Sequence, residues 1–278
     1  MEWVQSIIGE KIIMKNSGIN EIDKILINKN EIIINWIGQA GFVFKNKNNT
    51  IICVDPYYSN SIERHEGTAS RRIWFNKFDI EKFNPDLVIC THDHLDHTDP
   101  DTIPLLNSYS NAIFYGPKSS IEHMKKMNIS PNRLKIIEVG KISIFKDIKI
   151  KPVFANHTID SCGIILYFND LKIYITGDTC LDYRLYKIAE EQVDILILCI
   201  NGKFGNLSIK DSIRLFKKIK AKKIIPMHYG LIPTNTVNIH EFINICNKEN
   251  INFSILDIEK NYIIKKFYND INCTICTI

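Results

Sequence analysis

Short apolar runs, each closed by turn residues, recur along most of this chain, and a chain written that way must bury itself around β-sheet. They cover 31–37, 41–45, 50–54, 86–90, 111–115, 134–139, 148–154, 163–168, 171–176, 194–200 and 222–227. Helical periodicity appears at 121–127, 209–220 and 240–248, with breaks at 60–70 and 202–206. Strands come first, as consecutive hairpin-like units, and helices become regular only in the second half. No linker, low-complexity tract or repeat divides the 278 residues. We therefore expect an α+β chain with a two-layer sheet core and helices outside, a single domain over 1–278 with 1–30 as an N-terminal extension.

Composition narrows the partners. Hydrophobic residues make up 45% and charged residues 24%, enough for one large core, and 35 Lys plus Arg against 31 Asp plus Glu leave a formal charge of +4. That balance is too mild to indicate a nucleic-acid or membrane surface. No apolar run approaches the length of a bilayer span. Most of the eight cysteines lie inside strand-like runs, the habit of buried thiols in a reducing compartment. The expectation is a cytoplasmic protein acting on a small molecule, with a homo-oligomer allowed. Cys273 and Cys276 form a C-x-x-C near the end of the chain without a second pair, which reads as a loose tail.

The chemistry is concentrated directly after the run at 86–90, in Thr91-His92-Asp93-His94-Leu95-Asp96-His97-Thr98-Asp99-Pro100. If the strand ends near Thr91 and a helix follows Pro100, the H-x-H-x-D-H residues occupy one connecting loop, where imidazoles and a carboxylate can converge. Histidine with aspartate and no cysteine suits zinc, manganese or iron. One loop cannot close a metal site, so further ligands are needed at the ends of later strands. His157, Asp178 and His228 each follow an apolar run. Singly each has an ordinary explanation as a surface or turn residue; together with the first loop they read as a ligand set.

With those residues in place, the chain resembles the metallo-β-lactamase-fold hydrolase superfamily from about Glu31 to His228, through Asp55 in Val54-Asp55-Pro56, the loop at 92–97, His157, Asp178 and His228. The resemblance implies an αββα sandwich: two packed mixed sheets with helices on both outer faces and the site at one edge. It implies one or two divalent ions, zinc or manganese, one held by His92, His94 and His157, the other by Asp96, His97 and His228, with Asp178 bridging. Asp55 would orient a ligand histidine from behind. The segments Trp36-Ile37-Gly38-Gln39-Ala40-Gly41-Phe42, Tyr115-Gly116-Pro117-Lys118 and Ile225-Pro226-Met227-His228-Tyr229-Gly230 look like the L-ascorbate-6-phosphate lactonase branch. Diiron oxidoreductases of this fold usually carry Glu where this chain has His94, which favours hydrolysis.

The resulting expectation is a metal-dependent hydrolase of a small phosphorylated or acidic lactone. Bound ions lower the pKa of a water to about 7, the metal-bound hydroxide attacks, and Asp96 positions or deprotonates that water. A phosphodiesterase acting on a lipid or nucleotide ester and a metal-binding protein without turnover stand as alternatives. For the substrate, Asn201 and Lys203 lie in the Gly-rich segment after the run ending at Ile200, where lysine could meet a phosphate or carboxylate, although an exposed turn lysine is the plainer reading. Residues 57–72 read either as a flap carrying an anion-binding arginine or as a surface loop. His123 and His240 have no companion ligands and are read as structural or solvent residues.

Overall fold

The computed structural model describes residues 18–266 and 273–277. The first strands are β1 (Glu31–Gly38), β2 (Gly41–Asn46), β3 (Ile51–Val54), β4 (Leu87–Ile89), β5 (Ile113–Gly116) and β6 (Leu134–Ile136). With β13 (Asn261–Lys266) and β14 (Cys273–Thr277) they form an eight-stranded sheet in the order β14-β13-β1-β2-β3-β4-β5-β6. A six-stranded sheet holds β7 (Ser143–Phe145), β8 (Ile148–Phe154), β9 (Cys162–Phe168), β10 (Leu171–Ile175), β11 (Ile195–Cys199) and β12 (Lys223–Met227), ordered β12-β11-β10-β9-β8-β7. Hairpin order holds from β1 to β3 and again from β7 to β10, whereas β3, β4, β5 and β6 run parallel, as do β10, β11 and β12.

Period-two alternation explains the layering. On β1 and β2, Ile32, Ile34, Trp36, Phe42 and Phe44 join the main core with Ile164, Leu166, Ile173 and Ile175 of the facing sheet. The intervening Ile33, Ile37 and Val43 point outward to a second core, closed by α2 (Thr102–Tyr109) and α3 (Lys118–Lys126) through Ile103, Leu106, Ile121 and Met124. On the far side α4 (Ile209–Ile219) and α5 (Ile239–Lys248) bury Ile213, Ile219, Phe242 and Cys246. Ser208 starts α4 reciprocally with Asp211, accepting from its backbone N–H at 3.2 Å and donating to its carboxylate at 2.7 Å. Helices thus cover both outer faces, and the architecture is the αββα sandwich.

One terminal reading changes. The C-x-x-C segment is an edge strand rather than a loose tail: the β14 backbone pairs antiparallel with β13. Within the stretch read as an extension, Ile19 and Ile22 of a 3-10 helix are buried against the outer core. The buried Lys45 ammonium fixes that helix by donating to the carbonyls of Asp23 and Ile25. Cys53, Cys90, Cys162, Cys199 and Cys246 are buried or nearly so and unpaired. Among the described residues no helix is long and apolar enough to cross a membrane.

Candidate metal centre

Parallel strands deliver their C-terminal ends to one edge of the sandwich, and the chemistry-bearing residues follow those ends. Asp55 succeeds β3, the 92–97 loop succeeds β4, and His157, Asp178 and His228 follow β8, β10 and β12. The backbone bends sharply there: Asp55 and His228 have φ of 47° and 66°. Gly177, at φ 59°, lets Asp178 approach the first loop, since a Cβ there would lie 3.0 Å from the Thr91 side chain.

Hydrogen bonds fix how each imidazole points. Asp55, fully buried, accepts from Thr91 N and Oγ1 at 2.7 Å each and from His97 Nδ1 at 2.8 Å. His97 Nε2 is therefore turned away from Asp55, toward Asp178 Oδ1 at 3.5 Å and Asp96 Oδ1 at 3.8 Å. His157 Nδ1 donates to the Gly205 carbonyl at 3.3 Å, which leaves its Nε2 as a lone pair 3.1 Å from His94 Nδ1. His92 Nε2 lies 3.1 Å from the same His94 nitrogen. Three imidazole nitrogens so close cannot all be satisfied by sharing protons.

A bound cation would resolve both crowded points. His97 Nε2 and Asp178 Oδ1 are buried and lack hydrogen-bond partners. Candidate ligand atoms converge in three overlapping groups, His92-His94-His157, His92-His97-Asp178 and Asp96-His97-His228. Asp178 lies between them, its Oδ2 being 3.8 Å from His157 Nε2 and 3.2 Å from His228 Nε2. His228 Nε2 is also 3.2 Å from Asp96 Oδ2. The donor set, histidine and carboxylate, fits one or two divalent ions.

Electrostatics point the same way. Burial pushes the Asp96 and Asp178 carboxyls up, but the imidazoles of His97 and His228 outweigh it and hold both below the usual carboxylate range. Burial lowers His228 and His97, yet Asp178 and Asp96 carry His228 up to about 9, and Asp55, Asp178 and Asp96 carry His97 well above the ordinary histidine range. Burial drives His92 and His157 down, so both stay neutral and competent as ligands.

Several contributors were not legible as site residues. Gln39, in the turn between β1 and β2, donates from Nε2 to Asp96 Oδ2 at 2.9 Å and sits 3.1 Å from His228 Nδ1. Its carbonyl accepts from His228 N at 2.9 Å and from Trp36 Nε1 at 3.1 Å, tying the two sheets together at the site. Asn206 Nδ2 donates to Asp178 Oδ2 at 2.8 Å. No spacing rule in the sequence distinguishes either residue.

The centre opens into a cleft of about 420 Å³, with His94, Asp96, His157 and Asp178 on its floor. His123 of α3 and His65 of α1 (Ser61–Glu66) line the wall, so His123, read from sequence as a structural or solvent residue, belongs to the cleft; His240 is exposed near the start of α5. Lys203 and Asn201 do not line it. Lys203 Nζ donates to the Thr234 carbonyl at 2.9 Å and Asn201 Nδ2 to Asn235 Oδ1 at 2.6 Å, while their loop supports the ligands through Gly205 and Asn206. The 57–72 segment does wall the cleft, but its arginines are engaged elsewhere: Arg64 with Asp101, Arg71 with Glu63, and Arg72 with the carbonyls of Tyr58 and Ser59. Asp99 is structural, accepting from Ser59 Oγ at 2.7 Å and from Thr102 Oγ1.

An αββα sandwich with a histidine–aspartate centre at the strand ends defines the metallo-β-lactamase class. The chain belongs to the beta-lactamase superfamily: the model of the beta-lactamase superfamily domain matches residues 33–228. It is 27% identical over 230 residues to a UPF0173 metal-dependent hydrolase of Polynucleobacter asymbioticus, covering 74% of this chain and 77% of that one. A second protein so named, from Herpetosiphon aurantiacus, is 27% identical, with 81% and 94% covered. Igni18, described as a metallo hydrolase of the archaeon Ignicoccus hospitalis, shares the fold with a TM-score of 0.71 at 18% identity, over 85% of this chain and all of that one.

Proposed function

We propose that this protein is a metal-dependent hydrolase that opens a small lactone or related ester at the floor of the cleft. The carrying observation is the convergence of His92, His94, His157, Asp96, His97, Asp178 and His228 on adjacent points that a cleft reaches. Divalent ions bound there, zinc or manganese by the donor set, acidify water and polarise a carbonyl oxygen.

The chain's own residues supply the rest. Asp96 faces the cleft, and Gln39 fixes one of its oxygens, so its carboxylate is placed to orient a water and accept its proton. The new bond joins water oxygen to acyl carbon, the ring C–O bond breaks, and the proton passes to the departing alkoxide. Asp55 holds His97, Gly205 holds His157 and Asn206 holds Asp178, so the constellation is rigid before substrate arrives. The expectation of a phosphorylated or acidic substrate came from the likeness to the sugar-phosphate lactonase branch, with Lys203 and an arginine of 57–72 as the groups that could meet the anion; Lys203 bonds to Thr234, and Arg64, Arg71 and Arg72 to other partners, so none of these four supports that part of the reading.

Metal-loaded protein assayed on lactones, carboxylate esters and phosphodiesters tests the reading. Lactone or ester turnover that Asp96→Ala removes is the expected result. Turnover of phosphodiesters alone would overturn the substrate class, and a chain that takes up no divalent ion would overturn the mechanism.

A further inference from the structure

The cleft has two zones of opposite character. Its floor is the histidine–aspartate centre, whereas the apolar side chains that face its outer part are the half-buried Leu95 and the exposed Phe204, with the buried Ile62 and Ile232 behind Leu95. Ile62 and Ile232 are buried with Tyr57 and Leu231 in a small cluster of their own, against which Leu95 and Trp74 pack. That wall is pinned. Ile73 N donates to the Leu231 carbonyl at 2.8 Å, and the Ser70 and Thr234 hydroxyls meet at 2.8 Å, fastening the segment after α1 to the loop after β12. A preformed apolar surface of this kind is what a ligand arm uses.

The charged groups of the outer zone are carboxylates, Glu66 and Asp93. No lysine or arginine is among the described residues that line the cleft. His65 and His123, the remaining titratable groups of the wall, offer hydrogen bonds to a carbonyl or alcohol oxygen.

Resting on the hydrolytic reading above, we propose that the substrate is a neutral lactone or ester carrying a short apolar arm, the arm lying on Leu95 and Phe204, and that an anionic substituent is rejected. Each methylene of the arm moved from water onto that wall strengthens binding roughly fourfold. A carboxylate or phosphate in the same place would shed its water and face Glu66 and Asp93 with no lysine or arginine among the described lining residues to pair with it.

Two measurements on the metal-loaded full chain test this. The first compares kcat/KM for a γ-lactone bearing a pentyl arm with that for the same ring bearing a carboxylate. An advantage of about tenfold or more for the alkyl lactone is expected, and Glu66→Lys should narrow it. Equal or faster turnover of the carboxylate-bearing lactone overturns the proposal. The second follows the Leu95 methyl and Phe204 ring resonances with two lactams, an alkyl γ-lactam and pyroglutamate. The alkyl lactam should shift these resonances and pyroglutamate should not; pyroglutamate occupying the wall, or neither lactam reaching it, refutes the inference. Should neither lactone be opened, the hydrolytic reading fails, and lactam binding still decides the nature of the wall.

Discussion

Gln39 carries more of the site than any single turn residue ordinarily does, because its amide reaches Asp96 and His228 while its carbonyl receives the His228 N–H. Gln39→Ala should weaken divalent-ion affinity by about 10- to 100-fold, measured by competition with a chelating dye, because ligands lose their orientation when their partners are removed. Asp96→Ala should lower kcat by about a hundredfold or more with little change in far-UV circular dichroism. Protonation gives a further test. In metal-free protein His228 is carried from the ordinary 6.5 up to about 9, and His97 moves in the same direction. A raised folded-state pKa contributes stability that is complete below about pH 6.5 and is lost as pH climbs toward 9. Chelator-treated protein should therefore melt at falling temperature across that window, and zinc loading should flatten the slope, since the ion takes the place of the protons. A flat profile without metal would show that these imidazoles are not paired as described.

At the scale of elements, α1 and the segment behind it form a wall held by one buried cation. The Arg72 guanidinium donates to the carbonyls of Tyr58 and Ser59 and to Asn76 Oδ1, and lies 5.0 Å from the Tyr57 ring centroid. Arg72→Ala should cost about 3 kcal/mol in denaturant unfolding, because it strands these acceptors in a buried place. Which elements could be read from sequence follows from where they lie. Every apolar run taken as a strand forms one; most are buried on both faces and announce themselves by continuous hydrophobicity, the exposed edge strand β6 being the exception. The missed strands, β7, β13 and β14, sit at or next to sheet edges, and Ser143, Asn261 and Lys265 interrupt β7 and β13. The metal-site loop was legible because ligand chemistry leaves a fixed spacing. His123 was not, because a histidine on a helix joins the cleft through the packing of α3, which no local pattern encodes.

At the scale of the whole molecule, the candidate ligands are contributed by both sheets: Asp96 and His97 follow a strand of the eight-stranded sheet, whereas Asp178 and His228 follow strands of the six-stranded one. Removing bound ions with a chelator should abolish turnover and lower the melting temperature while leaving the far-UV spectrum native-like, since both hydrophobic cores persist without them. The placement also bears on biosynthesis. A chain made from its N-terminus presents His92, His94, Asp96 and His97 on the order of ten seconds before His228 exists. Four of the seven candidate ligands therefore stand on the nascent chain before β12 and the histidine that completes the set are made.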